Sequence, residues 1–227
     1  MNRQQTAKPP VSNTADSTTR KLVILALLSA VGFISMLYLK ISVVSFLKYE
    51  PKDIFITLGG FLYGPLAALS CAVVTGLLEL PVSSTGFIGM TMNILSSAAF
   101  ACTAAFIYKK RHDLFGAAIG LICSIAVMTV SMLLWNYLIT PLYMKIPRQQ
   151  VAAMLTTVFL PFNLLKASIN AALVLLIYRP FIRILHLCGF PVSDRFAAKK
   201  AAGILVYLTA GILLCACIGA IIWMNRG

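Results

Sequence analysis

Acidic residues are scarce in this 227-residue chain: six Asp and Glu stand against nineteen Lys and Arg, with two His and two Trp. The scattered carboxylates form no DDxxD-like pair for a metal-bound diphosphate, and no HExxH occurs. A glycine-rich loop ending in GK[ST] is missing, which excludes ATP hydrolysis by this chain. No CxxC and no Cys/His cluster is present. Five of the six cysteines (Cys71, Cys102, Cys123, Cys215, Cys217) fall inside apolar runs, as small packing residues do, and Cys188 stands alone in a basic segment. No internal repeat is evident, which weighs against carriers built from inverted repeats. The sequence therefore predicts no enzyme, no metal site and no cofactor.

What is present is apolar surface. Hydrophobic residues make up 60% of the chain and charged residues only 11%, with a mean hydropathy of +0.92. Soluble domains carry about 25% charged residues, so the fold class is an all-α integral membrane protein. The net charge of +13 does not point to nucleic acid, because the basic residues sit in short clusters between apolar runs, as membrane topology requires.

Residues 1–19 are polar and read as a disordered cytoplasmic tail. A bundle is expected over 20–185, a basic cytoplasmic linker over 186–200 and an additional transmembrane helix over 201–227. Apolar runs cover about 22–39, 54–80, 87–107, 115–139, 156–178 and 202–224, and residues 40–53 read as a polar outer loop. Gly59-Gly60 and Gly64-Pro65 interrupt the second run, which is one kinked span or two short ones. With the N-terminus cytoplasmic, two crossings put twelve basic residues inside and six outside, whereas one crossing gives seven and eleven. The positive-inside rule prefers two, hence seven spans and an extracellular C-terminus.

Lys166 lies several residues inside the 156–178 run. A charge at such depth costs at least a few kcal/mol and is kept where it pairs, faces a wet cavity or meets a ligand. Asn163 and Asn170, three residues before and four after, fall on the same helix face. Asn136, near the end of the preceding run, lies in the same outer half of the membrane. Aromatic residues gather on that side: Tyr38, Phe46, Tyr49, Phe87, Trp135, Tyr137, Tyr143 and Phe162. Most of them suit an interfacial belt, and the asparagines could equally serve interhelical hydrogen bonds. Carboxamides, an ammonium and aromatic walls together fit a planar small molecule with polar edges. The candidate binding residues are Asn136, Asn163 and Lys166, with Asn170, Tyr49, Glu79 and Asn93 as secondary candidates. Glu79 is also the one reasonable carboxylate for an ion-coupled carrier, and Ala26-Leu-Leu-Ser-Ala30 gives a flat face for a close helix contact.

These residues resemble a family: the substrate-binding S components of energy-coupling-factor (ECF) vitamin transporters, most closely the riboflavin-specific branch. The resemblance covers about residues 20–185. It rests on Ala26-x-x-x-Ala30, on Lys48-Tyr-Glu-Pro-Lys-Asp53 leading into Gly59-Gly-Phe-Leu-Tyr-Gly-Pro65, and on Ser84-Thr-Gly86. It continues in Trp135-Asn-Tyr137 and Leu160-Pro-Phe-Asn-Leu-Leu-Lys166. It implies a compact six-helix bundle in the cell membrane that binds one vitamin near the outer surface, with riboflavin as bound substrate. It further implies a transmembrane coupling protein and two cytoplasmic ATPases as partners. Asn136, Asn163 and Lys166 match the positions that contact the flavin, and Ala26 and Ala30 those that face the coupling protein. An S component for another vitamin, or an ion-coupled carrier using Glu79, is the alternative. The last apolar run departs from the family's six helices.

Overall fold

The computed structural model describes residues 14–39, 41–44, 47–83, 86–188 and 200–224. Most of the expected tail, most of the expected linker and the Ser84-Thr85 part of the motif lie outside the described residues. The first helix, α1 (Thr14–Tyr38), begins within the 1–19 stretch. A small antiparallel hairpin of β1 (Ile41–Val44) and β2 (Leu47–Tyr49) follows, pairing Ile41 with Tyr49 and losing regular register between Ser42 and Val44.

The second apolar run forms two helices, α2 (Lys52–Tyr63) and α3 (Pro65–Glu79). Gly64 makes the corner at φ 91°, a backbone angle that side chains disfavour. Pro65 then occupies the first turn of α3, where its missing N–H costs nothing. The run is thus two helices rather than one kinked span, but the charge count asked for two crossings and α2 alone cannot cross the bilayer. Twelve residues rise about 18 Å against a ~30 Å hydrocarbon core. The reason lies before it: the chain from the hairpin turns back into the bundle, so α2 starts in the interior with Lys52 and Asp53 buried.

A short 3₁₀ turn (Leu80–Val82) leads toward α4 (Gly86–Tyr108), which packs along α5 (Leu114–Met144). A Cβ on Gly120 would lie 2.8 Å from the Ala104 carbonyl oxygen, so the close approach of α4 and α5 requires glycine there. Asp113 caps α5 by accepting from the Gly116 backbone N–H at 2.6 Å. The chain then runs through α6 (Arg148–Met154), a π-turn (Leu155–Phe159) and α7 (Leu160–Leu187). Pro161 has no N–H to donate, and the helix widens just before it, Leu160 N–H bonding Leu155 C=O five residues back.

Among the described residues, five segments are long and apolar enough to cross a membrane: Thr18–Tyr38, Pro65–Val82, Gly86–Tyr108, Leu114–Leu142 and Arg148–Leu187. A shorter apolar stretch, Val206–Ile222, lies in α8 (Lys200–Met224). The main core joins Ile54, Leu58, Phe61, Phe100, Leu121 and Met128 with Val174 and Tyr178. At the end of the bundle away from Lys52 and Asp53, Tyr108 and Tyr178 meet hydroxyl to hydroxyl at 2.6 Å, with the Phe61 ring 4.4 Å from that of Tyr108. All six thiols are free.

Candidate functional site

Two buried polar clusters lie where α2 begins. In the first, Asp53 is fully buried and sits on the first turn of α2, where a carboxylate complements the positive end of the helix dipole. It accepts from Ser97 of α4 and from the Asn170 amide of α7 at 3.0 Å. The Lys166 ammonium lies 3.7 Å from the same carboxylate and 3.3 Å from the Ser96 hydroxyl. Tyr49 closes the cluster from the hairpin, donating to the Asn170 carboxamide oxygen at 2.8 Å. Burial, and secondly the Asp53 charge, push the Tyr49 phenol above its ordinary range, so it remains a neutral donor.

The second cluster is centred on Lys52, which pairs with Glu79 at the end of α3 and with Glu50 at 3.1 Å. Asn93 of α4 donates to the other Glu79 oxygen at 2.6 Å. Glu50, Asp53 and Glu79 thus face Lys52 and Lys166: three carboxylates, two ammonium groups. Charges cannot be held in an apolar interior without such pairing, because an isolated one costs several kcal/mol in solvation.

Of the candidates from sequence, Lys166, Asn170 and Tyr49 meet around Asp53, and Glu79 and Asn93 meet around Lys52. Asn136 and Asn163 are buried but stand apart from these bonds. The Asn163 amide donates to the Phe159 carbonyl at 2.8 Å, the Asn136 amide donates to the Met132 carbonyl at 2.7 Å, and the Asn136 oxygen accepts from Thr140. Asn163, Lys166 and Asn170 do share the inward face of α7. The ion partner of Lys166 is Asp53, and Glu79 is held by Lys52. One expectation is corrected. Tyr49 and Phe162 are buried core residues rather than belt aromatics, whereas Tyr38 and Phe87 are exposed as a belt requires.

Sequence reasoning missed Lys52, Asp53, Ser96 and Ser97. Glu50-Pro51-Lys52-Asp53 has the composition of a solvated loop, and only the return of the hairpin into the bundle buries it. The two serines on α4 were the available signal, adjacent hydroxyls one turn after Asn93 in a largely apolar helix.

Ala26 and Ala30, by contrast, are exposed on α1. Beside them a cleft of about 390 Å³ opens between α1 and α3, lined by Leu22, Leu25, Ala26, Ser29, Leu66 and Ser70 among others.

A multi-pass helical bundle that buries two clusters of paired charges and amides among its apolar helices defines a helical integral membrane protein. Residues 20–178 match the family described as "ECF transporter, substrate-specific component", and the chain belongs to that family. It is 29% identical over 171 residues to the riboflavin transporter FmnP of Bacillus subtilis (strain 168), covering 70% of this chain and 90% of that protein. Over 182 residues it is 28% identical to the riboflavin transporter RibU of Streptococcus thermophilus, covering 74% of this chain and 86% of the relative. A solved structure titled "Structure and mechanism of the S component of a bacterial ECF transporter" superposes with a TM-score of 0.64 at 28% identity. That match covers 74% of this chain and 98% of the other.

Proposed function

We propose that this protein is the substrate-specific subunit of an ATP-driven ECF transporter and that it captures riboflavin. The observation that carries the reading is the inward face of α7, where Asn163, Lys166 and Asn170 are all buried on a chain whose relatives at 28–29% identity are named riboflavin transporters. A flavin suits those groups chemically. Its imide edge offers one N–H and two carbonyls to carboxamides, its ribityl hydroxyls can donate and accept, and Lys166 supplies a positive donor. Asn136, Asn163 and Lys166 are the proposed contacts, with Asn170, Tyr49, Glu79 and Asn93 behind them. Glu79 is tied to Lys52 and Asn93, which argues against a free carboxylate for an ion-coupled carrier.

Transport needs energy this chain does not generate. The exposed Ala26 and Ala30, beside the α1–α3 cleft, form the proposed face for a transmembrane coupling protein that carries two cytoplasmic ATPases. With α2 and α3 together taken as returning the chain to the outer side, the charge count supports a cytoplasmic N-terminus and an extracellular C-terminus.

Detergent-purified protein titrated with riboflavin, read by quenching of flavin fluorescence, tests the reading. Among the described residues the Asn163 side chain bonds the Phe159 carbonyl, one turn back in the preceding π-turn, so Asn163→Ala should leave the fold intact and lose about tenfold or more in affinity, as removal of a buried hydrogen-bonding group does. Unchanged flavin fluorescence with the native protein would refute riboflavin as the substrate.

A further inference from the structure

The family match ends at residue 178, so α8 is an addition to the bundle, and its position is informative. Val206, Ala210, Leu213, Leu214, Cys217, Ala220 and Ile221 recur at helical spacing and turn inward, while Ile204, Leu208, Ile212, Ile218 and Ile222 are exposed. The inward stripe lies along α7, and α8 also approaches β1. The Arg179 guanidinium lies over the Tyr207 ring, 5.2 Å from its centroid, which ties the two helices at one end. Nothing in these contacts involves α1, so the Ala26–Ala30 face stays open.

Toward its other end, α8 closes a small apolar cluster. Tyr49, Phe162, Leu165, Ile169 and Cys217 are buried together, with Leu47, Leu213, Leu214, Ala220 and Ile221 packed around them. Tyr49 therefore has two roles: its ring belongs to the α7–α8 cluster, and its hydroxyl donates to Asn170. Asn170 in turn donates to Asp53, beside Lys166. A two-stranded hairpin of four and three residues does not hold its own position. Tyr49 must be placed by what packs on it.

We propose that α8 is a positioning element for the binding site, with Leu213, Leu214 and Cys217 seating the Tyr49 ring so that its hydroxyl fixes Asn170. This inference rests on the riboflavin reading for its ligand but not for its geometry. Shaving the stripe lets the Tyr49 ring move, frees one lone pair of Asn170 and loosens the face that carries Lys166.

A double-mutant cycle on the full-length protein tests it. Leu213→Ala/Leu214→Ala should weaken riboflavin binding about three- to tenfold, the scale of one hydrogen bond. In the Tyr49→Phe background the same pair should add less than about twofold, because both changes break one chain of contacts. Ile212→Ala/Ile218→Ala, on the exposed face, should change nothing. If the double variant does not fold, Leu214→Ala alone completes the cycle. Independent, additive effects would overturn the proposal. Amide hydrogen exchange at residues 47–49, measured without ligand, separates the two readings. Faster exchange in the α8 variants supports the positioning role even if native protein leaves flavin fluorescence unchanged, in which case only the substrate assignment falls. Unaltered exchange overturns the role of α8 whatever the ligand.

Discussion

Replacing Lys166 by Met should destabilise the protein by removing the ammonium opposite Asp53. At the observed 3.7 Å separation and an effective dielectric of about 20, the gross attraction is about 4 kcal/mol. What matters more is the residue left behind. Asp53 is fully buried and would keep hydrogen bonds from Ser97 and Asn170 and the more distant Lys52 charge, but not its facing ammonium, and breaking a buried pair costs about 3–5 kcal/mol. At about 2–4 °C per kcal/mol for a chain of this size, the expected drop in Tm is on the order of 10 °C. Thermal unfolding in detergent can be followed with a thiol-reactive dye once the exposed Cys188 and Cys215 are replaced by Ser, because Cys71 and Cys217 are free thiols shielded until the bundle opens. The double variant Lys166→Met/Asp53→Asn should recover most of the loss, since no buried charge then lacks a partner. Flavin binding should not recover in the double variant, because the ligand still lacks its ammonium. A Tm drop below about 2 °C in the single variant, or no recovery in the double, would refute the pairing argument.

Two further outcomes are expected. Ala26→Trp or Ala30→Trp should leave riboflavin binding by the isolated protein within about twofold, since neither side chain faces the interior; uptake into cells supplying the coupling protein and ATPases should nevertheless be lost, and retained uptake would remove α1 as the docking face. Asp113→Ala should cost about 1 kcal/mol by uncapping α5, seen as a small Tm decrease with unaltered flavin affinity; weaker binding would place Asp113 in contact with events at the site.

The helices were legible because apolar run length and Gly-Pro punctuation are local properties. The α7 face was legible for the same reason: residues three and four apart must share a side, and Asn163, Lys166 and Asn170 do. The partner of Lys166 was not, because ion pairing is decided by tertiary return of the chain. Asp53 lies in a hydrophilic hexapeptide whose composition is that of a surface loop, and only the hairpin that precedes it folds it inward. Tyr49 illustrates the same limit. Its position beside a polar stretch suggests the membrane interface, yet α7 and the added α8 enclose its ring.

The order in which the chain emerges during synthesis gives the two polar clusters different histories. Lys52 meets Glu79 across 27 residues, so that pair can close as soon as α2 and α3 exist as a helical hairpin. Asp53 gains Ser97 after 44 residues and Asn170 only after 117. From insertion of α2 until arrival of α7, its carboxylate has no cation from its own cluster. The last helix of the matched bundle is therefore the one that brings Asp53 its facing ammonium, so α7 completes the polar centre as well as walling it.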